Sequence, residues 1–413
     1  MIANLYILLN LGMYLYLYKV YNKHFHKCFN PGHVLLLSWI FIAFMGILYF
    51  NSGGLYKSYK EHVSLFPFIA EFLLFIIAFY PFFRFRWDLP FKFSKQSSLL
   101  MPLIYFTIFV SILPFMESIL QLFSSETTIA NSVEQYQMRE VEGETLIRLS
   151  YVGNKCYHWA SALKLISPIL LFYYLSYRKV KIWIVVGLLM ASFVTCVYAL
   201  VLGNRGPALN TFIYVFFIYI AFRKNLSEKM RKKIQKVGLI MVGSVTIYLI
   251  LMTIIRFAFL QTATQNTTSL YDWVSQYLGE PFINMNCDSF WNKKYLWGEL
   301  TNPVLWDFFT GTPARDRWIL YEKIGMRTHV LYTSFGQLFL DFPYIIVAIL
   351  TIIPTLIMNS IRQIALNNIG VFICWCGLAN LLLDGIFVYP LLNSFMATMF
   401  ALLIGTALYK TSR

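Results

Sequence analysis

Apolar stretches close to twenty residues long recur through this chain, at about 2–18, 33–50, 63–83, 99–118, 159–177, 181–202, 207–222, 237–259, 331–357, 369–388 and 391–409. A bilayer's hydrocarbon core needs about 20 such residues per helix. In that medium each backbone N–H and C=O must be satisfied inside its own segment, so the pattern predicts an all-α polytopic membrane protein with about eleven transmembrane helices. With 58% hydrophobic and 13% charged residues, a soluble core is excluded. The start, Ile2 to Tyr18, lacks a basic leader and a small-residue cleavage site and reads as an uncleaved first span.

The net charge of +15 invites a nucleic-acid reading, but the basic residues sit in alternate short loops between the apolar runs. These hold Lys19, Lys23 and Lys27, then Arg84, Arg86, Lys92 and Lys95, then Arg178, Lys179 and Lys181. The densest run is Arg223, Lys224, Lys229, Arg231, Lys232, Lys233 and Lys236, followed by Arg362, Lys410 and Arg413. This positive-inside pattern places the N-terminus outside, the C-terminus in the cytoplasm, and two polar loops outside: about 119–158 and about 261–330. The chain is thus expected to be a single integral membrane domain, 1–413, carrying these two outer loops. In the first loop, Ile129, Val133 and Tyr136 suggest a short surface helix.

The 261–330 segment gathers much of the chain's polar chemistry. Ser269 is placed to cap an amphipathic helix through Leu270, Trp273, Val274 and Tyr277, expected to end at Gly279. Asn302-Pro303 and Thr312-Pro313 read as two further helix starts, the second running to Gly325. A connection this long with helices of its own points to function more than to tethering. Asp272, Glu280, Asp288, Glu299, Asp307 and Glu322 lie here with Arg315, Arg317, Arg327 and His329, among six aromatic residues suited to sugar stacking or to the interfacial belt.

A few ionisable positions carry the chemical argument. Gly203-Asn204-Arg205-Gly206-Pro207 is a tight reversal that sets Arg205 at a helix N-terminus, where free N–H groups and a guanidinium both favour an anion. Arg256, late in the eighth span, is either a second cation or a snorkelling side chain. Arg315 and Arg317 flank Asp316, which occupies at most one of them. His329 is the first choice of general base, with Asp341 and Asp384 as alternatives. Glu71 and Lys164, both inside spans, are expected to neutralise each other. Cys28, Cys156, Cys196, Cys287, Cys374 and Cys376 show no metal-ligand spacing, and a Cys156–Cys287 bridge is the one pairing the topology allows.

The Gly203-Asn204-Arg205-Gly206 turn, the long outer loop before the ninth span, and His329-Val330-Leu331-Tyr332 followed by Gly336 and Asp341 together resemble the oligosaccharide repeat-unit polymerases. These are the Wzy-type O-antigen polymerases of the bacterial inner membrane. The same His run looks like the loop end of O-antigen ligases, without the Asn that follows His there. The resemblance implies a metal-independent, inverting-type glycosyltransferase without cofactors, its site facing the periplasm. Undecaprenyl-diphosphate-linked oligosaccharides would be the substrates, with a chain-length regulator protein as partner and no nucleic acid. Arg205, Arg256, Arg315 and Arg317 would hold the diphosphate together with Asn204, Tyr277 and Glu280. His329, Asp341 and Asp384 would supply the base. An O-antigen ligase and a flippase of lipid-linked oligosaccharides are the alternatives.

Overall fold

The computed structural model describes residues 2–25, 28–52, 62–93, 97–123, 149–202, 205–264, 269–312, 317–327, 332–383 and 391–412, and among these there are α-helices and no strand. In chain order the helices are α1 (Ile2–Val20), α2 (Pro31–Asn51), α3 (Leu65–Arg84), α4 (Leu100–Phe123), α5 (Tyr151–Ala162), α6 (Ile166–Tyr177), α7 (Ile182–Val201) and α8 (Arg205–Phe222). They continue with α9 (Glu228–Thr264), α10 (Leu270–Cys287), α11 (Pro303–Thr310), α12 (Arg317–Lys323), α13 (Ser334–Asp341), α14 (Tyr344–Ala365), α15 (Ile369–Leu383) and α16 (Leu391–Thr411). The surface helix expected within 119–158 falls on residues outside those described.

Six helices, α2, α3, α4, α7, α9 and α14, are long and apolar enough to cross a bilayer, and the α5–α6 pair makes a seventh if counted as one span. The other expected spans fall on α1, α8, α15 and α16. Two of the expected spans are not straight. The fifth bends by 71° between α5 and α6, where the Leu165 carbonyl accepts a 2.9 Å hydrogen bond from the Tyr214 hydroxyl. The ninth, expected over 331–357, is interrupted at Phe342-Pro343 into α13 and α14, because Pro343 has no N–H to continue the ladder.

The helices form two compact units. In the first, α1, α2 and α3 share an aromatic core: Tyr14 and Trp39 lie 5.9 Å apart, Trp39 and Phe75 4.9 Å. Asn30 opens α2 with a reciprocal cap to His33, and Pro31 fits its first turn. Onto this core comes α10. Its start agrees with the sequence, since Ser269 and Asp272 cap each other's backbone, but it does not stop at Gly279. It runs on through Pro281 to Cys287, and Gly279 serves a different purpose. A Cβ there would stand 2.2 Å from the Met45 carbonyl oxygen of α2, so this glycine permits two helix backbones to meet. Phe282, one turn on, stacks on Phe68 of α3 at 5.5 Å, and Asn286 exchanges hydrogen bonds of 2.7 and 2.9 Å with the Ser64 backbone.

The second unit is built on α4, α7 and α8 with α5 and α6. Glu117 of α4 accepts from the Ser150 N–H at 3.0 Å and from its hydroxyl at 2.6 Å, fixing the residue that caps α5. Asn225 clamps the Phe91 backbone through its amide, at 3.0 and 2.9 Å. Lys164 belongs to this unit. Glu71 belongs to the first, and there its Oε1 accepts from the Thr333 hydroxyl at 2.8 Å. All six cysteines are free thiols, and no Cys156–Cys287 bridge forms.

If the Gly279 contact holds α10 on α2, Gly279→Ala should destabilise the purified protein by about 1–3 kcal/mol, the range for overpacking. Gly12→Ala, where an added Cβ meets nothing within 4 Å, should leave it unchanged or slightly more stable. Thermal melts of the two variants side by side make the comparison, and equal behaviour would remove the close-approach role.

Candidate functional site

The first unit brings Glu280, one of the residues expected at a site, together with Asn284, Asp288, Arg327 and Tyr332, a grouping the sequence did not show. Because α10 continues past Gly279, Glu280, Asn284 and Asp288 follow at four-residue intervals, on one face of that helix and at its cap. Arg327 meets this face. Its Nε donates to Asp288 Oδ2 at 3.0 Å, one terminal nitrogen donates to the same oxygen, and that nitrogen reaches Asn284 Oδ1 at 2.7 Å. The Tyr332 hydroxyl approaches Asp288 at 3.5 Å. Burial opposes the guanidinium charge, but Asp288 and then Glu280 more than offset it, so Arg327 is held above its ordinary pKa. Tyr332 is held in its neutral form, first by burial and then by the Asp288 charge. The result is a fixed cation set between two carboxylates, with amide and phenol groups beside it, an arrangement suited to hydroxyl-rich ligands.

Beside it, residues 296–301 and α13 form a second device. The carbonyls at the end of α13 are satisfied by an incoming strand-like segment: Leu296 N–H donates to the Leu340 carbonyl at 3.2 Å and Trp297 N–H to that of Asp341 at 2.9 Å. The Asp341 side chain faces the turn that follows. It accepts from the N–H groups of Leu300 at 3.2 Å and Thr301 at 2.7 Å, with Gly298 N–H and the Thr301 hydroxyl adding to them. Trp297 itself has φ of 55°, a left-handed conformation unusual for a bulky residue and held here by those bonds. The small core of Leu296, Leu300, Leu320, Tyr332 and Leu340 closes beneath.

Asp341 lies before the span that begins at Tyr344. Burial raises its carboxyl to about 6 despite the hydrogen bonds that favour the anion. With both oxygens engaged by backbone donors, it works as the anchor of the 298–301 turn, and that occupation speaks against the base role expected of it.

A cavity of about 630 Å³ opens within the same unit. Trp297, Thr301, Asn302 and Trp306 line it, α13 contributes Ser334, Phe335 and Leu338, and α14 lines it from Leu350 to Met358.

Of the other residues expected at a site, Glu280 is buried on α10 facing Arg327 and Tyr332. Tyr277 lies on the same helix, placed by its backbone. Arg205 is the first described residue of α8, Arg256 lies on α9 and Arg317 is the first described residue of α12, these three also by backbone. Asn204, Arg315, His329 and Asp384 lie outside the described residues. The helix expected after Thr312-Pro313 is described over Arg317–Lys323, residues 313–316 lying outside those described, and Gly325 follows it in a left-handed conformation. The helix opened by Asn302-Pro303 is α11, which ends on left-handed Gly311. No family model, curated protein or solved structure matches this chain.

Asp341 offers a test with a sign. Its folded-state pKa, about 6, exceeds the ordinary 3.8, so the folded protein takes up this proton more readily than the unfolded chain. Its contribution to stability is fully present below about pH 4 and is lost as pH rises to about 6. Relative to Asp341→Asn, whose side chain does not titrate, the wild type should lose melting temperature across that window. At pH 7 Asp341→Ala, which strands several backbone N–H groups, should cost about 1–3 kcal/mol. Parallel pH profiles of wild type and Asp341→Asn would dismiss the raised carboxyl, and an Asp341→Ala protein as stable as wild type at pH 7 would dismiss the anchor.

Proposed function

We propose that this protein polymerises undecaprenyl-diphosphate-linked oligosaccharide repeat units at the outer face of the bacterial inner membrane. A hydroxyl of the incoming unit attacks the anomeric carbon of the growing glycan. The bond from that carbon to the diphosphate oxygen breaks, the configuration inverts, and undecaprenyl diphosphate leaves while a base takes the hydroxyl proton. His329 is the first candidate for that base and Asp384 the second, since Asp341 is engaged by the turn. Arg205 at the start of α8 is the first cation for the departing diphosphate, where a guanidinium fork and free helix N–H groups both favour an anion. Arg256, Arg315 and Arg317 remain further candidates.

One observation supports the reading above the others: the polar segment is folded onto candidate spans through Gly279 and Phe282, and there it presents Glu280, Asn284, Asp288, Arg327 and Tyr332 together. A transferase working on sugars carried by a membrane lipid needs hydrogen-bonding side chains held near apolar helices. A flippase would have less use for so elaborate a segment on one face. The resemblance of the Gly-Asn-Arg-Gly turn and the His329 run to the polymerase family points the same way. A ligase would run the same chemistry onto a lipid A-core acceptor.

The experiment is reconstitution in proteoliposomes with lipid-linked repeat units, followed by gel analysis of glycan length. A ladder of polymer that persists in EDTA is expected. Arg205→Ala should slow it on the order of 10²–10³, as loss of one transition-state donor does, with Arg205→Lys between Ala and wild type. Transbilayer movement of the lipid without elongation would overturn the proposal in favour of a flippase. Transfer of single units to lipid A-core alone would overturn it in favour of a ligase.

A further inference from the structure

Two phenylalanines at the end of α11 lie open in the first unit. Phe308 is 79% exposed and Phe309 78%, and their rings meet edge to face at 5.2 Å. In sequence Val304 and Leu305 stand four residues before them, so these four positions share one arc of about 140° at about 100° per residue. Asp307 and Thr310 occupy the opposite side. A helix this short with one apolar and one polar side has nothing to gain from standing in water.

The turn before α11 sets its level. Leu300 and Thr301 donate to the Asp341 side chain and Trp297 to the Asp341 carbonyl, and Asp341 lies just ahead of Tyr344, where the candidate span α14 begins. Exposed aromatic side chains gather at this level: Trp297, Tyr344 and, next to the Phe290 whose carbonyl accepts from the Tyr344 hydroxyl, Trp291. Such a belt marks the boundary between the head groups and the hydrocarbon of a bilayer. From there α11 does not run out into water. Its Trp306, Phe309 and Thr310 line the cavity together with α14 from Leu350 to Met358, and Leu350 is already about 9 Å past Tyr344 at 1.5 Å per residue. The α14 helix in turn leaves Ile345, Ile353 and Leu356 exposed, as a lipid-facing span does.

We infer that α11 is a lipid-inserted helix, lying in the plane of the membrane at the Tyr344 end of α14 with Phe308 and Phe309 among the acyl chains of that leaflet and Asp307 on the head-group side. The inference is independent of the transfer reaction. Acyl chains are the occupant because the Phe308–Phe309 side offers no hydrogen-bonding group and adjoins a span that itself faces lipid. Amphipathic helices bind the interface in this way, with the apolar face about 5–10 Å deep. The C-terminal end of α11 is prepared for it: the Gly311 N–H donates to the Asp307 carbonyl at 2.9 Å and the Thr310 hydroxyl to the Trp306 carbonyl at 2.7 Å, which satisfies backbone groups that hydrocarbon would not.

The test uses the full chain, its six native cysteines replaced, in proteoliposomes of phosphatidylethanolamine and phosphatidylglycerol, with a nitroxide on one introduced cysteine at a time. Power saturation measures collisions of the nitroxide with oxygen, which concentrates in hydrocarbon, and with a neutral nickel chelate, which stays in water. Ile353→Cys on α14 is the lipid reference and Lys293→Cys, at an exposed position, the water reference. The oxygen-to-nickel ratio at Phe308→Cys and Phe309→Cys should exceed that at Lys293→Cys at least about fivefold, because a polar chelate is excluded from hydrocarbon. At Asp307→Cys it should fall back toward the water reference. Thermal melts matched to the unlabelled parent show that each labelled chain is folded. Ratios at 308 and 309 equal to that at Lys293→Cys would put this side in water and overturn the inference. Few collisions with either reagent would overturn it too, since a protein surface, a partner or a second copy, would then cover the two rings. A ratio at Asp307→Cys as high as at its neighbours would contradict the in-plane placement.

Discussion

The architecture of the first unit depends on two helix backbones approaching at Gly279. A polar helix such as α10, carrying Asp272, Glu280 and Asn284, gains little by lying against apolar spans unless its polar face points elsewhere. Gly279 lets its other face come down on Met45 and Gly46 of α2, and Phe282 then enters the aromatic core beside Phe68 and Tyr14. Dispersion between closely packed atoms drives such contacts where hydrophobic burial between helices is weak. Once α10 is seated, the face bearing Glu280, Asn284 and Asp288 is left for Arg327 and Tyr332.

Carboxylates then hold the elements that follow. Glu71 reaches Thr333, which caps α13 through the Gly336 N–H at 3.1 Å. Asp341, at the other end of α13, gathers the 298–301 turn around its oxygens. An eight-residue helix has little stability of its own. Fastened at both ends, α13 becomes one wall of the cavity, and the strained Trp297 is set at the mouth. The first unit thus holds both a hydrogen-bonding face, built from Glu280, Asn284, Asp288, Arg327 and Tyr332, and a cavity whose described lining carries no charged residue.

Much of this was legible in the residues, and what was missed has physical causes. The start of α10 at Ser269 and that of α11 at Pro303 follow from local rules, capping and fixed φ, that operate within one turn of chain. The end of α10 does not. Glycine favours both helix termination and close packing, and only the partner backbone at Met45 decides between them. Placing the end at Gly279 hid the four-residue spacing of Glu280, Asn284 and Asp288, which was there to be read. The bend between α5 and α6 escaped because hydropathy averages over about twenty residues and is blind to direction. The break before α14 did carry a signal, Pro343, masked by apolar neighbours on both sides.

The claim on which most rests is that α10 is packed on α2 instead of lying free outside it, and a disulfide reports on that contact directly. A Cβ at Gly46 would stand 3.8 Å from that of Phe282, close to the mean separation across native disulfides. In a background with the six native cysteines replaced, Gly46→Cys combined with Phe282→Cys should cross-link nearly completely in membranes under mild oxidation. Gly12→Cys with Phe282→Cys should give no bridge. Failure of the 46–282 pair to form, with both variants expressed and each thiol free to react alone, would contradict the seating of α10 and the site built on it.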